Sequence, residues 1–301
     1  MKWFILRIGV PVTALMLSFP AFSQVSLKYT LKKGEVFKTN VMSEIDMLQK
    51  IMDQEVRFNF EYTMKSVFKV KEVINDGYVL EMRYTGIKMR TGVADKVIVF
   101  DSNDSETTDM QQNLNPVLKA MIDQPVEITM SRTGKIQSVE GFDAILEAMY
   151  NSSEGNIASA MQQQLKSQFG SPTSVQSFIT QNYFPDHPVN TGDSWNFKET
   201  VNISNISIGV DVKQTLKRIE DEVIVLDMEG VISTPEGYET EVNGMKVKQS
   251  LNGTQKGETI MDRHTGWVVS SQITQTLEGK MEISGMNIPI SATSIISITS
   301  D

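Results

Sequence analysis

The chain has 301 residues, with 28 Lys plus Arg against 37 Asp plus Glu, a formal net charge of −9 and no cysteine. An acidic surface repels phosphate backbones, so nucleic acid is not an expected partner. Without cysteine there are no disulfides and no thiol chemistry, and stability has to come from a packed core.

Residues 1–23 read as an export signal. Lys2 and Arg7 give a positive start, and an apolar run follows from Ile8 to Phe19. Ala21-Phe22-Ser23 then puts small residues at the two positions a signal peptidase reads, which predicts cleavage after Ser23. The run falls short of the about 20 residues a bilayer span needs. Removing these residues, which hold two bases and no acid, leaves 278 residues at a net charge of −11. No transmembrane segment is expected in the mature chain, which is expected in the periplasm or outside the cell.

A period of two dominates the chain beyond this signal. Phe37, Val41, Ile45, Met47 and Ile51 form one alternating stretch. From Val56 to Val70 the even positions are mostly apolar (Val56, Phe58, Phe60, Tyr62, Met64, Phe68, Val70) and the odd ones mostly polar. That pattern is a strand with one greasy and one wet face. A strand this long is expected to coil strongly or to carry a bulge. Asn75-Asp76-Gly77 marks a turn, and Tyr78, Leu80, Met82 and Tyr84 resume the apolar face. Helical spacing appears over Leu114–Ile122, Phe142–Tyr150 and Ile157–Phe169, with a further turn of helix near Val175–Ile179. Pro185, Pro188 and Gly192 mark a linker. Strands return with Ile206–Val212, Glu222–Met228, Glu258–Met261, Trp267–Leu277 and Ile288–Ile298.

Three short matches recur in order. Gly34-Glu35-Val36-Phe37 matches Gly192-Asp193-Ser194-Trp195, and Val79–Met82 matches Val225–Met228. Ile128–Ile136 matches Thr259–Val268 with one insertion. They suggest an internal duplication. The expected fold class is α+β, predominantly antiparallel β, with two duplicated, curved half-barrel-like sheets and connecting helices. The expected division is signal 1–23, N-terminal β half 24–140, helical connector and linker 141–190, and C-terminal β half 191–301.

The Leu31/Gly34-Glu35 opening, the Gly192–Trp195 step after a proline-bearing linker and the Asp262–Gly266 turn resemble a family of exported Bacteroidetes proteins built on a domain of unknown function. That resemblance implies a bacterial cell envelope and supplies no catalytic residues. The expected architecture also resembles the half-barrel of periplasmic lipoprotein carriers, a likeness of fold that does not fix function.

The search for reactive groups yields little. Gly192-Asp193-Ser194 lacks the later Asp-x-x-His of the lipases it superficially matches, and no Gly-x-Ser-x-Gly elbow occurs. His187 and His264 have no second His at ligand spacing, so no metal is expected. The acidic run Asp101, Asp104, Glu106 and Asp109 lacks the glycine and glutamate of a calcium loop and reads as a solvated hairpin. No catalytic residue and no cofactor is expected. The 18 methionines either fill an irregular core or, like other flexible thioethers, make an adaptable apolar wall.

The function expected is therefore non-enzymatic: binding or carrying an apolar ligand, a lipid or acyl chain, on inward-facing Phe58, Phe60, Tyr62, Met64, Met82 and Met161. The alternative is a structural or assembly module that binds another envelope protein through sheet edges or loops. A hydrolase is a distant third.

Overall fold

The structure, a computed structural model, describes residues 24–51, 54–93, 96–104, 115–151, 184–203, 206–235, 237–242, 245–283 and 285–301. The first half holds strands β1 (Val36–Ile51), β2 (Gln54–Ile74), β3 (Gly77–Val93), β4 (Lys96–Asp101), β5 (Val126–Ser131) and β6 (Ile136–Glu140), with helices α1 (Asn115–Met121) and α2 (Phe142–Asn151). The second holds β7 (Ser194–Ile203), β8 (Ile206–Ile219), β9 (Val223–Ser233), β10 (Glu239–Val242), β11 (Met245–Asp262), β12 (Val268–Ile283) and β13 (Met286–Ser300). The expected helices over 157–169 and 175–179 lie outside the described residues.

All thirteen strands form one antiparallel sheet, in the order β6-β5-β3-β2-β1-β13-β12-β11-β9-β8-β7, with β4 on β3 and β10 on β11. This corrects the expectation of two sheets. The cause is β13, which pairs with β12 on one side and β1 on the other and fuses the halves. Of the described helices, α2 lies between β6 and β7, whereas α1 precedes β5 and β6.

One face of each long strand is the more covered and the other the more exposed. Odd residues of β1, β11 and β12 turn inward, as do even residues of β2, β8, β9 and β13. In β3 the inward parity changes from Tyr84 to Ile87, because Thr85 is an extra residue where the pairing slips between Lys65 and Ser66. A second bulge places Lys71 outside the ladder. Long β2 therefore does carry the irregularities its length demands.

The sheet is rolled at one end. The Tyr29 amide donates to the Arg132 carbonyl and the Thr30 amide to the Thr265 carbonyl, both at 2.8 Å. Arg132 follows β5 and Thr265 follows β11, six strand steps away in the sheet order. Six steps of a flat sheet span roughly 29 Å. Two adjacent residues bond both turns, so the carbonyls lie within about 10 Å of each other. Only strong curvature brings them there.

The residues 25–31 segment plugs this rolled base. Leu27, Tyr29 and Leu31 point into the core, and Val25 bridges Val189. Around them pack Phe68, Tyr78, Leu80, Ile128 and Met130 from the first half, Leu216, Leu226, Met261 and Trp267 from the second, and Ile145 and Leu146 of α2. Trp267 stacks on Phe37 at 4.4 Å and meets Tyr29 edge-on at 6.2 Å. The Tyr78 hydroxyl donates to the Tyr29 carbonyl at 2.8 Å and accepts from Arg132 at 2.8 Å, so its burial is satisfied.

The two halves repeat details as well as order. The succession β6-β5-β3-β2-β1 recurs as β12-β11-β9-β8-β7. Gly34 and Gly192, at φ 89° and 94°, open the two halves. Gly34 donates to the Val70 carbonyl at 2.8 Å and Gly192 to that of Leu216 at 2.7 Å. Just past those acceptors Lys71 and Lys217 are the bulged residues. The Glu35 and Asp193 carboxylates each accept an amide three residues back, from Lys32 and Asn190, at 2.7 Å. The Arg132 amide meets the Asp76 carbonyl at 3.1 Å, and that of Arg263 the Glu222 carbonyl at 2.9 Å. The halves differ at β4 and β10, which join non-equivalent strands.

Candidate ligand-binding face

Beyond the base, the inward face continues along the sheet with the same alternation. Strand register defines its rows. One runs Tyr62, Ser43, Ile296, Ile273, Gly257, Met228, Gln214 and Trp195 across β2, β1, β13, β12, β11, β9, β8 and β7. The next runs Phe60, Ile45, Ser294, Gln275, Gln255, Gly230, Val212 and Phe197. Large side chains flank small ones, which suits a concave surface where neighbours crowd. Gly257 shows the crowding directly, because a Cβ there would lie 2.4 Å from the Gln272 carbonyl oxygen and 2.8 Å from Ile273 Cγ1.

On β2 the rings of Phe58, Phe60 and Tyr62 form a ladder, with centroids 6.3 and 6.5 Å apart and planes within 1° and 11°. The spacing follows from side chains two residues apart sharing one strand face. All three are half-buried and belong to neither buried apolar cluster. Burial holds the Tyr62 phenol above its ordinary pKa, so it stays a neutral hydroxyl. Across the sheet, Val212, Met228 and Ile273 form a second small cluster with Phe197, Val210 and Ile296.

Amides punctuate this face. Gln214 is fully buried and accepts from Trp195 Nε1 at 3.1 Å. Gln255 is buried, accepts from Gln275 at 3.0 Å and lies 3.5 Å from Met228 Sδ. Gln249 is 5% exposed, and among the described residues its Oε1 has no hydrogen-bond partner.

Of the residues expected to bind, Phe58, Phe60, Tyr62 and Met64 do share one strand face, with Met64 packed on the base core. Met82 sits apart in the base, 4% exposed and paired with Phe68 and Val126. Met161 lies outside the described residues. The glutamines and the second cluster were not anticipated. Their signal was available: Val247, Gln249, Leu251, Gly253 and Gln255 alternate with Lys248, Ser250, Asn252 and Thr254 along β11.

The groups weighed for catalysis or metal binding are dispersed among other tasks. Ser194 Oγ lies 2.8 Å from Thr215 Oγ1 on the exposed start of β7. His264 sits in a turn, 3.3 Å from Glu222, and His187 is 3.1 Å from Asp186, both well exposed. Asp101 caps its turn by accepting the Asn103 amide at 3.0 Å, with Lys88 at 3.6 Å. Among the described residues no group of three or more His, Asp or Glu is placed to hold a metal ion. Among the same residues no helix is long and apolar enough to cross a membrane.

No curated protein matches the chain. Among solved structures, an outer membrane channel from Pseudomonas putida F1 aligns over 91% of this chain and 97% of its own at 6% identity, with a TM-score of 0.26. Pseudomonas aeruginosa OpdQ aligns over 90% and 99% at 8% identity, with a TM-score of 0.21. The translocator domain of the autotransporter NalP from Neisseria meningitidis aligns over 89% of both chains at 6% identity, with a TM-score of 0.19. At such scores these likenesses carry no argument about fold or role. A family model does match, over residues 75–268, more than half of the chain, and on that match the protein belongs to DUF6263, a family of unknown function.

Proposed function

We propose that this is an exported, water-facing protein that binds an apolar chain, a lipid tail or acyl group, along the inner face of its rolled sheet and carries out no bond chemistry. The observation that carries the reading is the sidedness of the long strands. Their inner face is mostly apolar, interrupted by glutamines and small polar residues, with aromatic rings left half-covered beyond the base. Their outer face carries Lys38, Glu44 and Asp46 on β1, Arg57 and Glu61 on β2, and Lys248 and Lys256 on β11, all exposed. A membrane-spanning barrel needs the reverse, an apolar band outside. Charge pairs on that outer surface, such as Arg90–Glu61 at 2.5 Å and Lys198–Asp211 at 2.7 Å, suit contact with water.

The repeated strand order and the paired turns at Gly34 and Gly192 support descent of both halves from one duplicated unit. In this reading the export signal delivers the chain to the periplasm or beyond.

Native mass spectrometry of the full chain, purified gently from the exported fraction, tests the proposal. Added mass that releases as lipid on activation supports it. A ligand-free protein that also fails to bind Nile red overturns it. A second reading, an assembly module, draws on the edges: among the described residues β6 and β7 each pair on one side only. A ligand-free protein that captures an envelope protein through β7 would favour it.

A further inference from the structure

Gln249 narrows the chemistry of the occupant, on the reading that the inner face holds an apolar chain. Its backbone is tied down: the amide donates to the Tyr238 carbonyl at 3.2 Å, and its carbonyl accepts the Thr234 hydroxyl at 3.4 Å. The side chain is on the inner face with Val247 and Leu251 on its own strand, both buried. Register places Met281 opposite it and Ile288 beyond. None of these four side chains has a donor to offer, and Tyr238, its neighbour on the β10 side, gives no hydrogen bond to Gln249 Oε1. Among the described residues, buried Gln214 and Gln255 of this face have partners for their carbonyl oxygens, and Gln249 does not.

A buried carbonyl oxygen without a partner is a standing cost unless something supplies a proton donor. We propose that the ligand supplies it: the occupant is a neutral amphiphile whose hydroxyl or amide N–H donates to Gln249 Oε1. A carboxylate or phosphate offers only acceptors and would place two lone pairs against each other. The nearest cations in sequence, Lys246 and Lys248, face outward and are exposed, so they do not neutralise an anion on the inner side.

The test compares 1-dodecanol with its methyl ether, equal in chain but without the donor, as displacers of Nile red from the mature chain. The alcohol is expected to bind about five- to tenfold more tightly, the worth of one neutral hydrogen bond. Gln249→Leu should abolish that preference, bringing the alcohol-to-ether affinity ratio to about one. Equal binding of alcohol and ether to the native protein overturns the assignment of Gln249 and leaves apolar binding intact. Binding of neither removes the carrier reading itself. If Gln249→Leu fails to fold, the alcohol-to-ether ratio on the native chain still decides.

Discussion

The base and the distal half of the sheet are built from the same alternation and end differently. At the base the inward residues meet a plug, the residues 25–31 segment, and helix α2, so Tyr29, Tyr78, Leu80 and Met130 are at most 1% exposed. Farther along the same strands Phe58, Phe60 and Tyr62 keep the inward direction but stay half-open. The difference is not one of strand chemistry. It comes from what lies against the face, which makes the base a stability element and the distal face the candidate site.

The largest effect is expected where the base is sealed. Trp267 touches Phe37, Phe68 and Tyr29, which come from β1, β2 and the plug. Trp267→Ala removes contacts to all three and should cost about 3–5 kcal/mol in urea denaturation. A cost below about 1 kcal/mol would show that the base is not the packed end. Next comes Gly257→Val, at the row where curvature leaves no room for a Cβ. It should cost about 1–3 kcal/mol by overpacking, although the residue faces the distal cluster rather than the base.

Much of this contrast is legible in the sequence and part of it is not. The period of two from Val56 to Val70 reveals β2 and its inward face, and Asn75-Asp76-Gly77 gives the turn into β3. Met82 shows the limit. Its alternation places it inward as surely as Met64, but only the fold reveals that its stretch of β3 lies under the plug. The fusion into one sheet was equally hidden, since nothing in Ile288–Ile298 says that β13 pairs on both sides. Short β4 and β10 carry too few residues for periodicity to speak. The alternation along β11 gives Gln249 its inward direction, but a polar letter there does not announce burial, which depends on neighbours from β12 and β13.

A turn at the base gives a smaller, pH-dependent effect. Asp262 Oδ1 accepts from the Thr265 amide and hydroxyl at 2.7 Å and from the His264 amide at 3.1 Å. Partial burial pushes this carboxyl up, but the hydrogen bonds outweigh it and hold the pKa below the ordinary 3.8. A lowered folded-state pKa stabilises above the unfolded value and loses that contribution as pH falls through the folded one. Asp262→Ala should therefore cost about 1 kcal/mol at pH 7. The gap between variant and native protein should close as the pH drops below 3.8, as read by urea denaturation across pH. A gap independent of pH would assign the loss to backbone conformation instead.

The smallest stability effect is expected on the aromatic ladder, and there it is most informative. Phe60 is half-buried and, among the described residues, stacks on Phe58 and Tyr62 along its own strand. Its truncation opens no sealed cavity, so Phe60→Ala should cost less than about 1 kcal/mol. The same change removes the middle ring of the apolar ladder and should weaken Nile red binding several-fold. A residue that matters little to folding and much to binding is what a ligand-facing position requires. If Phe60→Ala instead unfolds the protein as readily as Trp267→Ala, the distal face is a second core, and the contrast between the two ends of the sheet disappears.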